Sequence, residues 1–245
     1  MSRATILILA KACGLTTAGL ASLLGPNDRL TEQAIRADDL LSQLLDGKIE
    51  RVTVLPDGSH VTCAPLPRGV LAGSFDPLHA GHIGLARVAA EILGGPVAFE
   101  ISVLNVDKPP LGPDAARGRL LPFAWHGTME LTRAPTFLEK SRVLPGVTFV
   151  VGADTAERII EPKYYAESVT KLLAALHEIA DRGCHFLVAG RRDATGRFQT
   201  LADIRIPQQF ANLFTAIPES RFRLDLSSTD LRVAAGNNPF SSTSR

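Results

Sequence analysis

The chain has 245 residues, 45% of them hydrophobic, which is enough for one large domain with a sizeable buried core. With 26 Lys and Arg against 25 Asp and Glu, the net charge of +1 excludes a global field able to hold nucleic acid or an acidic membrane, so any phosphate must be bound by a local site. Cys13, Cys63 and Cys184 are odd in number and far apart, which excludes a disulfide framework and a paired-cysteine zinc site and points to a reducing cytoplasm.

The apolar run over residues 4–10 stops at Lys11, far short of the roughly 20 residues a membrane span requires. Beside Arg3 and Lys11 it looks like a short secretory leader, but no cleavage site follows, so the expected location is cytoplasmic. Helical patterning covers residues 4–24 and again 31–45, where Ala34, Ile35, Leu40, Leu41, Leu44 and Leu45 recur behind Thr31 and Glu32. Two such helices make an appendage without a core of its own. A strand over 51–55 and a turn at Pro56, Asp57 and Gly58 lead to Pro65, Leu66 and Pro67, which read as a linker. The expected organisation is an N-terminal helical extension over residues 1–64, a domain over 65–236 and a frayed tail over 237–245.

From Arg68 onward, apolar strands alternate with amphipathic helices: strand 69–72, helix 80–93, strand 97–106, strand 149–151, helix 168–182 and strand 184–189. This order predicts an α/β fold with a doubly wound parallel sheet and right-handed crossovers. Ligands in such folds sit beyond the carboxyl ends of the strands. Directly after the first strand comes Gly73-Ser74-Phe75-Asp76-Pro77-Leu78-His79-Ala80-Gly81-His82. Gly73 lets the backbone leave the strand and Pro77 stiffens the loop. His79 and His82, three apart at the opening turn of a helix, share one face beside free N–H groups and the positive end of the dipole. That is an anion site with two imidazole donors added.

Further along, Ser228 and Thr229 suit the N-cap of a last helix, with Arg232 one turn on; hydroxyls and a guanidinium fork fit a terminal phosphate. Asp154 either caps the helix that follows its strand or faces a ligand. Lys108, before Pro109 and Pro110, is either a solvated charge or is aimed at a substrate phosphate. Arg191 and Arg192 follow a strand and read first as a solvated turn, with the lining of the nucleotide cleft as the alternative. His60, His126, His177 and His185 show no metal-ligand spacing with the histidine pair.

The stretch GSFDPLHAGH resembles the HxGH signature of the nucleotidylyltransferase superfamily, in the form nearest to mononucleotide adenylyltransferases. Leu226 to Arg232 resembles that superfamily's ISSTxxR motif, and Gly152-Ala153-Asp154 resembles the GAD in which an acidic residue faces the nucleotide's ribose. The resemblance covers roughly residues 68–236 and implies a Rossmann-like nucleotidylyltransferase fold. It implies His79, His82 and Arg232 as catalytic residues, with Gly73, Ser74, Phe75, Gly81, Asp154, Ser228 and Thr229 binding nucleotide and phosphate. It also implies Mg²⁺ carried in with the nucleotide, and a nucleotide and a phosphorylated acceptor as partners, with no nucleic acid or membrane; it leaves room for a homo-oligomer.

Where those adenylyltransferases carry a ring-stacking Trp after GAD, this chain has Tyr164 and Tyr165, so Tyr164 is the candidate stacking face and Lys108 a second substrate-binding residue. Residues 105–110 and 136–140 match no substrate motif. The chain is most similar overall to a bacterial and plant cytidylyltransferase-like group, whose longer members carry a CinA-type nicotinamide-nucleotide amidohydrolase domain that residues 30–41 resemble. The expected reaction is transfer of the nucleotidyl group of ATP to a phosphate-bearing acceptor with release of pyrophosphate. Nicotinamide or nicotinate mononucleotide is the first acceptor candidate. The alternatives are a CTP-dependent cytidylyltransferase and a nucleotide-binding regulatory module without turnover.

Overall fold

Short runs of β-branched and aromatic residues between positions 51 and 216 pair into one eight-stranded sheet. The computed structural model describes residues 37–106, 109–124, 126–192 and 197–223. The expected helix over 4–24, Lys108, the segment bearing Ser228, Thr229 and Arg232, and the tail over 237–245 lie outside the described residues.

In chain order the elements are α1 (Ala37–Leu45), β1 (Arg51–Val54), β2 (His60–Val61), β3 (Gly69–Ala72), α2 (Ala80–Leu93), β4 (Val97–Ser102), α3 (Pro113–Leu120), β5 (Met129–Thr132) and α4 (Phe137–Val143). They continue with β6 (Thr148–Gly152), α5 (Ala153–Ile159), α6 (Val169–Asp181), β7 (His185–Ala189), β8 (Arg191–Arg192), β9 (Phe198–Gln199) and β10 (Phe214–Ala216). The sheet order is β10-β7-β6-β3-β4-β5-β1-β2, with β8 and β9 forming a separate ribbon. Pairing is parallel from β5 through to β10 and antiparallel for β1 on β5 and β2 on β1. The chain thus winds outward from β3 to β5, returns to the other side of β3, and winds outward again through β6, β7 and β10. Strand order reverses between β3 and β6, and a crevice opens beyond their carboxyl ends.

Strand alternation splits the core into two layers. Leu71, Val150, Leu187 and Ala189 face one layer with Leu85 and Ala89 of α2, while Val70, Phe149, Val151, Phe186 and Val188 face the other with Leu172, Leu176 and Ile179 of α6. Helix ends follow local chemistry: α2 stops where Gly94 takes a left-handed φ of 63°, and the Ser168 hydroxyl accepts from Lys171 N to start α6.

Two features depart from the sequence reading. The expected strand over 97–106 ends at Ser102. The stretch over 1–64 was set apart as an appendage, yet its described part belongs to the sheet: β1 and β2 extend the edge beyond β5, and Leu41 and Leu44 of α1 are buried in the first core layer. The physical reason lies in β5, whose Glu130 is fully buried. Its Oε2 accepts from Arg51 Nε at 2.8 Å and from Thr53 Oγ1 at 2.7 Å, and Arg51 also donates to Ala64 O at 3.0 Å. On the neighbouring strand, buried Glu100 accepts from Lys140 Nζ at 2.7 and 2.8 Å and from Thr132 Oγ1 at 2.6 Å. A buried carboxylate is tolerated only when paired in this way, and the pairing fastens α4 and residues 51–64 to the sheet. No helix among the described residues is long and apolar enough to cross a membrane.

Candidate active site

The turn after β3 begins with one more ladder bond, from Gly73 N to Glu100 O at 3.0 Å. A Cβ on Gly73 would stand 3.0 Å from the Phe75 ring, so a larger residue would have to displace that ring. Phe75 itself has a φ of 45°, a left-handed conformation that costs a non-glycine residue free energy. Burial of its ring offsets that cost: it packs edge-on against His82 at 4.9 Å and against Phe99 and Phe123 at 5.4 Å. The Asp76–Pro77 peptide is cis. From α3, Arg119 donates to Ser74 O at 2.5 Å and to Asp76 Oδ2 at 2.6 Å, clamping the exposed outer side of the turn.

His79 is the N-cap of α2, and its Nδ1 accepts from Gly81 N at 3.2 Å. His82 Nδ1 accepts in return from His79 N at 3.3 Å, a capping box built from two imidazoles whose rings stack 3.7 Å apart. A ring nitrogen that accepts an N–H bond carries no proton, so each neutral imidazole holds its proton on Nε2. Burial, then the neighbouring His79, pulls the His82 pKa down to about 4; burial, then the Arg191 charge, lowers that of His79. At neutral pH the pair is therefore uncharged, with both Nε2–H groups fixed in orientation.

Several expectations are revised by this geometry. The helix opening does not offer the Gly81 amide to an anion, because His79 already occupies it. Phe75 does not face a nucleotide; it is the buried wedge beneath His82. Gly73 and Ser74 are exposed in the turn after β3. Asp154, in the first turn of α5, makes no cap: Gly152 is the N-cap and receives no side-chain bond. Its Oδ2 instead accepts from Arg191 Nη1 at 2.8 Å. Of the two sequence readings of Arg191, the structure favours the cleft over the solvated turn: it is bonded to Asp154 after β6 and its charge acts on His79 after β3. Tyr164 lies on a 3₁₀ turn (Pro162–Tyr165) and lines a cavity of about 300 Å³ with Asn105, Phe137, Leu138, Thr155 and Arg158.

Sequence reasoning missed Arg119, which carries no local signal because its partners lie more than 40 residues away. It also missed α4, whose first residues wall the cavity, although Thr136 and Glu139 form a capping box readable as Thr-x-x-Glu. Among the described residues, no group of three or more His, Cys, Asp or Glu could hold a metal ion. The arrangement offers fixed neutral donors at the strand-order reversal, an acid paired with a guanidinium opposite them, and an aromatic-walled cavity on the α4 and α5 side. In a comparison with family models, that of cytidylyltransferase-like proteins matches residues 70–234, from β3 through the segment bearing Ser228, Thr229 and Arg232.

Proposed function

The chain belongs to the cytidylyltransferase-like family and is a nucleotidyltransferase, and on that premise we propose that it transfers the adenylyl group of ATP to a phosphate-bearing acceptor. An acceptor phosphate oxygen attacks the α-phosphorus, the bond from that phosphorus to the bridging oxygen breaks, and its electron pair leaves with pyrophosphate. The acceptor is already a nucleophile at neutral pH, so no covalent enzyme intermediate forms. Catalysis is then positioning plus stabilisation of charge on the transferring and leaving phosphates.

In this reading His79 and His82 donate from Nε2–H to the phosphate chain. Being neutral and already oriented, they need no reorganisation at the moment of reaction. Phe75 and Arg119 keep the turn in place. Asp154 and Arg191 meet the nucleotide across the crevice, Arg232 with Ser228 and Thr229 holds the far phosphate, and Lys108 and Tyr164 serve the acceptor. Mg²⁺ is a proposed cofactor that comes bound to the triphosphate and offsets its charge. The first acceptor candidates are nicotinamide and nicotinate mononucleotide, whose ring would stack on Tyr164.

The observation that carries the proposal is the mutual capping of His79 and His82, which aims two N–H donors from the strand beside the reversal point. The test is pyrophosphate formation with ATP and CTP, each against a panel of phosphorylated acceptors. ATP with a mononucleotide acceptor is the expected active pair. The family's description favours CTP as a second reading, which activity with CTP alone would establish. Nucleotide binding without pyrophosphate from any pair would replace both with a binding module.

A further inference from the structure

The cavity behind α4 and α5 has walls of Phe137, Leu138, Ile159, Tyr164 and Tyr165, and among the described residues that line it a single side chain carries a charge: Arg158. Arg158 is exposed and sits one turn after Thr155 on α5. Neither Arg158 nor Thr155 has a side-chain hydrogen bond or ion pair among the described residues. This sets Arg158 apart from Arg119, Arg142 and Arg191, each of which is committed to a carboxylate. The other polar groups of the cavity are largely spent: the Tyr165 hydroxyl donates to Ile159 O at 2.8 Å, and the Thr136 hydroxyl donates to Glu139 at 2.6 Å. Among the described residues, what the lining offers a ligand is ring faces, the Thr155 hydroxyl and the Arg158 guanidinium. Its volume of about 300 Å³ is that of a small-molecule site.

We infer that this cavity takes a flat aromatic group bearing a carboxylate, and that Arg158 selects such an acid over the corresponding neutral amide. The inference deepens the proposed function and rests on its reading of the cavity as the acceptor site. A guanidinium presents only donors, in a fork that matches the two oxygens of a carboxylate. A carboxamide turns one oxygen and one NH₂ toward that fork, so a donor faces a donor and one bond is lost along with the charge pairing.

The test compares nicotinate mononucleotide with nicotinamide mononucleotide, which differ only in the ring substituent, by calorimetric titration of the full chain and of Arg158→Gln. The acid is expected to bind at least tenfold more tightly than the amide, a difference of about 1.4 kcal/mol. In Arg158→Gln that preference falls to within twofold while the affinity for the amide and the melting temperature are unchanged. Arg158→Lys, which keeps the charge and loses the fork, should lie between. Equal affinity for both ligands in the unmodified chain, a preference that survives in Arg158→Gln, an equal loss of both ligands in Arg158→Gln, or no binding of either ligand would each overturn the inference. Failure of the transfer reading looks different: no pyrophosphate forms with ATP or CTP, while the acid preference and its loss in Arg158→Gln persist.

Discussion

In the turn after β3, Phe75 and the two histidines are each held by more than one neighbour and Arg119 clamps the outside, whereas in the cavity behind α4 and α5 the Arg158 guanidinium and the Thr155 hydroxyl have no hydrogen-bond or ion-pair partner among the described residues. In that turn each imidazole uses its Nδ1 to accept a backbone N–H of the capping box. On the proposed function, an oriented donor pair would serve any triphosphate while a chemically biased cavity would decide which acceptor joins it, so shared chemistry and individual specificity would occupy different regions of the fold.

That contrast can be tested by loosening each side in turn. The largest effect should come from the support behind the cavity: Lys140→Met leaves the Glu100 carboxylate buried without its cation and should cost about 3–5 kcal/mol of stability, read as a fall in the urea midpoint. A loss below 1 kcal/mol would show that α4 does not depend on the pair. On the other side, His82→Ala removes one oriented donor and should lower turnover by about 10²–10³, roughly 3–4 kcal/mol, with the circular dichroism spectrum retained. Near-normal turnover would end the assignment of the histidine pair. Arg119→Ala removes two hydrogen bonds to the turn, one of them to a carboxylate, and should cost about 1.5–3 kcal/mol in kcat while acceptor affinity stays put. A change confined to acceptor affinity would place Arg119 with the cavity instead.

The smallest effect is on pH dependence. His82 has a pKa of about 4 when folded against 6.5 when unfolded, so between those values the unfolded chain binds the extra proton. The stability from burying a neutral ring is complete above pH 6.5 and is lost as pH falls through 4. Denaturant midpoints should therefore drop more steeply over that window in the unmodified chain than in His82→Gln, and parallel slopes would show that His82 is not held neutral by the fold.

How much of this is legible in the sequence depends on where each partner sits. Helix α2 can be read with its observed bounds because Gly94 and the histidine cap act within a few residues, and Ser168 marks α6 in the same way. β5 cannot be read so, since Glu130 and Thr132 look like surface residues until Arg51 and Thr53 of β1 donate to Glu130 and Glu100 of β4 accepts from Thr132. The histidine motif is visible, but its state is not: the occupied Gly81 amide and the neutral rings follow from packing and mutual bonding. The cavity is assembled from residues near positions 105, 137, 158 and 164, and no single stretch announces it.

The family match begins at residue 70, yet the folded unit reaches back at least to Ala37. A fragment cut at residue 65 would take Arg51 and Thr53 away from Glu130 and strip β5 of its antiparallel neighbour. The bared strand would offer an open row of backbone groups to other molecules and a lone carboxylate to an oily interior. Anyone trimming this enzyme for crystallisation or fusion should therefore keep the leading strands, since the span that the family model matches is smaller than the compact unit that folds around it.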